Sequence, residues 1–217
     1  MMMDFNSLNY KDQLKHVDIF MQRKDYLTAI TLLDTLISKM EINKIKIQGI
    51  EIKIKALHTR VKALIGKFEK DRYTENSEKD ANLNRAISDC TQILTLMPNN
   101  TEAYYYRAEA YYYKNLYESA LSNYSWAIDV EPKNIMAYIK RGEYYYDSFR
   151  CWNDNTEKNE NYDKSKYDFE KILSFSPNNN EAQEWLKKLE EKKLKIQKEK
   201  DVKKKEDNFL LRDLRHL

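Results

Sequence analysis

The chain has 217 residues, 38 Lys and Arg against 35 Asp and Glu, a net charge of +3, and only three Gly and three Pro. So few turn formers starve hairpins, sandwiches and doubly wound sheets of connections, so an all-α fold is expected. The interspersed charge gives no general case for nucleic-acid binding, and no apolar run approaches the roughly 20 residues of a membrane helix.

The N-terminal residues MMMDFNSLNYKDQLK carry no apolar stretch of signal-peptide length, so a soluble, cytoplasmic protein is expected, although a cilium or an organelle-associated assembly would suit the same composition. Residues 1–9 read as an N-terminal arm. Over 10–43, Asp25-Tyr26-Leu27-Thr28-Ala29-Ile30 reads as a turn entering a helix that continues through Leu33 and Leu36. Over 44–100, Ile47, Ile50, Ile54, Leu57, Val61, Leu64 and Phe68 recur every three or four residues, which predicts one amphipathic helix of about 25 residues. DRYTENSEKD then reads as a loop, and a second helix through Ala86, Cys90 and Ile93 ends before Pro98.

The unit 101–134 is bounded by Pro98 and Pro132, 34 residues apart; Pro132 stops a helix because its ring fixes φ and it has no N–H. The unit 135–177 carries Tyr138, Arg141, Gly142 and Tyr145, then Tyr162, Ser165, Phe169, Ile172 and Pro177, with the polar stretch DSFRCWNDNTEKNEN lengthening the connection. Over 178–207, Ala182, Trp185, Leu186 and Leu189 face inward at the start of a helix that then becomes almost wholly charged. The tail 208–217 returns to apolar residues: Phe209, Leu210, Leu211, Leu214 and Leu217.

The segment after Pro98 resembles the tetratricopeptide repeat from end to end. With Thr101 at position 1, Tyr104, Arg107, Ala108, Tyr111, Ala120, Tyr124, Ala127 and Pro132 fall at the signature positions 4, 7, 8, 11, 20, 24, 27 and 32. Small Ala108 and Ala120 let two helices approach while the tyrosines fill the space around their crossing. The resemblance implies a right-handed solenoid of about four helix-turn-helix units, 10–43, 44–100, 101–134 and 135–177. The helix 178–207 would cap the last apolar face. No small residue falls cleanly at the crossing position of the second unit, which leaves its register open.

No Gly-rich phosphate loop, Cys-x-x-Cys, His-Glu-x-x-His or Gly-x-Ser-x-Gly string occurs, so no catalytic residue, metal or cofactor is expected. His16, His58 and His216 are far apart and read as packed or solvated imidazoles. Cys90 reads as an inert core thiol, and Cys151, beside Trp152, as an exposed one.

The resemblance places Glu102, Tyr105, Tyr106, Glu109, Tyr112 and Tyr113 on a concave groove, with Met136, Ile139, Lys140, Glu143 and Tyr146 added by the fourth unit. Such a surface suits a protein partner, since aromatic residues are favoured at interfaces. The alternative is that compositional bias, visible in 17 tyrosines, puts Tyr at tolerant positions covered by the chain itself.

The family's co-chaperones grip a heat-shock chaperone C-terminus with Lys and Asn at positions 5 and 9 of one repeat, Asn at position 6 of the next, and Lys and Arg at positions 2 and 6 of the third. Here Leu14, Asp18, Tyr105, Glu109, Tyr106 and Met136 stand where that clamp needs polar or basic groups, and Lys140 alone cannot hold two carboxylates. That partner is disfavoured. The run 187–207, ten Lys against six Asp or Glu, reads as a solvated charged helix rather than an RNA-binding one. The five apolar tail residues are costly to leave in water and are expected to dock on the array or on a neighbouring subunit. The reading is thus a non-enzymatic adaptor or architectural subunit of a larger assembly, with a groove-binding co-chaperone or assembly factor as the alternative.

Overall fold

A computed structural model describes residues 9–42, 49–71, 78–148 and 160–213, with only the backbone given at residue 42 and over 206–213. The described elements are helices: α1 Tyr10–Gln22, α2 Tyr26–Ile42, α3 Ile50–Lys70, α4 Glu78–Leu96, α5 Thr101–Tyr113, α6 Tyr117–Val130, α7 Ile135–Ser148, α8 Glu160–Phe175 and α9 Asn180–Asp213. The fold is all-α, and the chain divides into two compact units, Met1–Pro132 and Lys133–Leu217.

Several boundaries differ from the sequence reading. Helix α3 has 21 residues and starts at Ile50, while Ile47 lies outside the described residues. Helix α4 takes in the last three residues of the stretch expected to be a loop, with Glu78 and Asp80 in its first turn where the helix dipole favours acids. The insertion in the fourth pair gives up Asp147 and Ser148 to α7 and Glu160 and Asn161 to α8; Cys151 and Trp152 lie outside the described residues.

Short polar motifs set the helix ends. After each of the three prolines comes one residue and then an asparagine, whose side chain accepts from the backbone N–H three residues on. Asn100 caps Ala103 at 2.8 Å, Asn134 caps Ala137 at 2.9 Å and Asn179 caps Ala182 at 2.8 Å. Within the first and third pairs the turn is a Schellman motif. Lys24 and Asn115 sit at φ 56° and 59°, Asp25 N–H donates to the Phe20 carbonyl at 3.0 Å, and Leu116 N–H to that of Tyr111 at 2.9 Å.

The crossing of each pair is closed by buried side chains of different sizes. Val17 and Leu33, Val61 and Cys90, Ala108 and Tyr124, and Phe169 against Gly142 are all buried at these positions. At Gly142 a Cβ would stand 2.8 Å from the Phe169 ring, which is fully buried. Ser165 completes that crossing by donating its hydroxyl to the Gly142 carbonyl at 2.9 Å.

An arginine one residue before the crossing ties each of three pairs together. Arg60 makes a two-pronged contact with Asp89 at 2.7 and 2.6 Å, Arg107 donates to Asn123 at 2.7 Å, and Arg141 grips Asp168 at 2.9 and 2.7 Å. Arg107 and Arg141 hold position 7 of their repeats, so Arg60 holds it in the second. The register left open by the sequence is thereby set, with Val61 at the crossing. The partners lie 29 residues apart in that pair against 16 in the third, so much of its extra length falls between the two helices.

In the first unit α2 packs on α3 and α4 on α5, which joins the first two pairs and one face of α5 in one core, while Ala108, Ala120 and Tyr124 form a smaller one between α5 and α6. Gly66 admits the Tyr26 ring at this contact, where a Cβ would come within 2.6 Å of it. In the second unit α9 covers α8: Leu189 and Ala182 are buried, and Trp185 stacks on Phe169 with ring centroids 5.8 Å apart. The lysines of α9 lie over aromatic faces, Lys192 over Tyr146 at 4.0 Å and Lys193 over Tyr162 at 4.3 Å. From 197 to 205 every residue but Lys200 is exposed, and the backbone stays helical to Asp213, past the expected end at 207.

Two substitutions test this packing by urea denaturation of the full chain. Arg141→Met strands Asp168, 1% exposed, as a buried carboxylate without its cation and is expected to cost about 3–5 kcal/mol. Gly142→Ala gains helix propensity but overpacks against Phe169, for a net loss of about 1 kcal/mol; a stabilised variant would show that the ring can move aside.

Candidate functional site

The first helices of the first unit, α1, α3 and α5, are successive neighbours, and together they line a cavity of about 520 Å³. With Arg60 at position 7, the α3 residues at positions 2, 5, 6 and 9 are Lys55, His58, Thr59 and Lys62, and all four line it. Asp18 and Met21 come from α1, Glu51 and Ile54 from the start of α3, and Asn100 and Glu102 from the capped end of α5. The cap brings Asn100 and Glu102 to this wall, because it starts α5 beside the middle of α3.

His58 is 7% exposed, its two ring nitrogens are shut off from solvent, and Asn100 and Glu102 are their polar neighbours. Glu102 Oε2 lies 3.6 Å from Nδ1, beyond hydrogen-bond reach, while Lys62 takes the other oxygen of that carboxylate at 2.6 Å. Burial pushes the imidazole below its ordinary value. Lys62 adds to the shift, and Glu102 and Asn100 oppose it, so His58 is neutral at pH 7.

Of the groove residues expected from the sequence, Glu102 alone lines this cavity. Tyr105, Tyr106, Tyr112 and Tyr113 are half-buried by their own unit. Tyr106 lies under Lys62 at 5.7 Å, and its hydroxyl is pushed up to about 12 by burial and by Glu102 and Glu109. Tyr113 stacks on Phe68 at 4.6 Å and donates to Glu69 at 2.7 Å; Tyr112 lies edge-on to Tyr113 and Tyr117. Glu109 faces inward, where it accepts the Tyr124 hydroxyl.

In the second unit Met136 is exposed and Ile139 is buried. Lys140 pairs with Glu143 at 2.9 Å, and Tyr146 is covered by Lys192 and Trp185 of α9. Phe209, Leu210 and Leu211 continue the α9 backbone, and Leu214 and Leu217 lie outside the described residues. Burial raises the Cys90 thiol far above its ordinary value, which keeps it protonated.

The sequence reading missed His58, Lys55, Thr59, Lys62 and Asp18 as a constellation because it had no register for α3. The signal was present: Asp89, Asn123 and Asp168 each precede the residue that fills the crossing, and each calls for an arginine at position 7.

No family model matches the sequence, and no curated protein does. Among solved structures the chain is similar to a tetratricopeptide repeat protein from Parabacteroides merdae, with a TM-score of 0.59 and 20% identity over 83% of this chain and 59% of that one. The MamA protein superposes with a TM-score of 0.55 at 19% identity, over 87% of this chain and 94% of its own. A thermophilic tetratricopeptide protein of Thermus thermophilus gives 0.51 at 11% identity, over 82% and 98%. The fold is therefore that of a helical repeat protein. Its helix pairs resemble the tetratricopeptide repeat at Tyr104, Arg107, Ala108 and their counterparts.

The state of His58 is open to measurement. In carbon-edited proton NMR its imidazole is expected to titrate below 6.5. Because the unfolded chain takes up the proton first, stability falls as pH drops from 6.5 through the lower folded value. His58→Gln should flatten that slope; a midpoint at or above 6.5 would contradict the burial argument.

Proposed function

We propose that the chain is a non-enzymatic protein-interaction module serving as an adaptor or architectural subunit of a larger assembly. The observation that carries this reading is α9. Its first half is tied down by Leu189, Trp185 and the lysine contacts, while its second half holds 197–205 exposed on a continuous helix, and a helix of isolated charged residues is stabilised little by itself. The apolar residues at its far end, Phe209, Leu210 and Leu211, suit a partner or a neighbouring subunit that covers them. The repeat fold and the cavity on α1, α3 and α5 add a second surface for a protein segment.

The co-chaperone reading is weaker. With the second repeat in register, positions 5 and 9 are Leu14 and Asp18 in the first repeat and His58 and Lys62 in the second; neither pair supplies the Lys and Asn that open the chaperone-tail clamp. Lys140, the remaining cation at a clamp position, is engaged by Glu143.

Native purification with size-exclusion chromatography and mass spectrometry tests the proposal, comparing the intact chain with one cut before Asn208. The intact chain is expected in a stable complex, and the shortened chain is expected to leave it. Two monomers that enrich only heat-shock chaperones, with binding lost on Lys140→Glu, would replace this reading by the co-chaperone one.

A further inference from the structure

The three arginines at position 7 are not neutralised alike. Arg60 meets two carboxylates, Asp89 of its own pair and Asp34 of the pair before it, and Arg141 grips Asp168. Arg107 meets neutral groups in both places. Its Nε donates to Asn123 at 2.7 Å, and its Nη1 donates to Thr91 at 3.3 Å, with Thr91 at the repeat position that Asp34 holds. No carboxylate among the described residues pairs with Arg107, and its Nη2 has no hydrogen bond there and is open to solvent. The Tyr104 and Trp126 rings flank the guanidinium, with centroids 5.5 and 5.9 Å away, and orient it without supplying a counter-charge.

This guanidinium stands on the wall of a cavity of about 420 Å³ along α5 and α6. Position 19 leaves the space open: it is Ser119 here, where the second pair has Arg85 and the fourth Lys164, both long side chains with ion pairs of their own. The Ser119 hydroxyl makes no hydrogen bond among the described residues. Trp126, on the same wall, is 47% exposed at position 26, where the other pairs have Thr35, Gln92 and Lys171. A free cation, a free hydroxyl donor and an open indole face complement a carboxylate with an apolar neighbour.

We propose that this cavity takes an aspartate or glutamate side chain of a partner segment, its carboxylate on Arg107 Nη2 and the Ser119 hydroxyl, with an apolar neighbour in the segment resting on Trp126. The partner's acid then fills the role that Asp89 and Asp168 fill from within the chain. The inference rests on the interaction-module reading and names the chemistry of one partner. It uses positions 7, 19 and 26, none of which belongs to the chaperone-tail clamp, and it takes a side chain rather than a chain end. Glu118, exposed on the same wall, opposes the incoming charge. One cation beside one opposing acid suits the single charge of a carboxylate better than a phosphate dianion.

The probe is a phage-displayed random heptapeptide library panned at low salt on the immobilised full chain. Selected sequences are then made as acetylated, amidated peptides, which have no terminal carboxylate, and measured by fluorescence polarisation. Asp and Glu beside apolar residues are expected to be enriched. Asn123→Asp gives Arg107 the internal acid that the other two arginines have, and it should weaken binding about tenfold in a chain that circular dichroism melts show to be folded. Glu118→Gln should tighten binding, and Trp126→Gln should weaken it. In the wild-type chain the Trp126 indole N–H resonance should shift on adding a selected peptide, a readout that needs no variant. Selection of basic or uncharged peptides, equal binding to wild type and Asn123→Asp, an unmoved Trp126 resonance, or selection of no heptapeptide each overturns this site. The interaction-module reading fails separately, if the intact chain enters no complex in native purification.

Discussion

Each helix pair is organised by one crossing, where two helices approach closely and bury the side chains between them. Close packing leaves little slack there, as at Gly142, where a Cβ would stand 2.8 Å from the buried Phe169 ring. The arginine beside the crossing follows from it, because a close approach puts the residue before the filler within reach of a guanidinium, and a carboxylate as buried as Asp89 or Asp168 is tolerable only when gripped.

The candidate site inherits its geometry from these crossings. Once Arg60 is held by Asp89, the next turns of α3 have no freedom, and His58 and Lys62 must face the side on which α1 and α5 stand. The Asn100 cap starts α5 beside that surface and delivers Glu102 to it. What results is a cleft of charged groups around a desolvated imidazole. The more numerous tyrosines, by contrast, are half-buried on their own unit's core.

In the second unit the corresponding helix is used differently. Tyr146 serves as a platform for Lys192, and Trp185 stacks on Phe169, so α9 holds the surface that another repeat would otherwise hold. A capping helix needs only enough length to cover one apolar face. This one extends to Asp213, and the excess helix is where the proposed assembly role resides.

The sequence by itself determined the repeat: three prolines followed by capping asparagines mark where pairs begin, and the small and aromatic residues around Ala108 and Gly142 mark where helices cross. These are local signals, set by backbone geometry and side-chain size within one short segment. Tertiary structure decided the second register, because Val61 is not small and only the grip of Arg60 on Asp89, 29 residues on, marks the crossing. It also decided which groove candidates face outward. Glu109 and Ile139 sit at positions the repeat pattern assigns to a groove, but burial depends on what a neighbouring helix covers, and no spacing within a helix records that. His58 is the clearest case: alone in the sequence it is a histidine with no partner in sight, and only the approach of α1 and α5 gives it a desolvated setting beside Asn100 and Glu102.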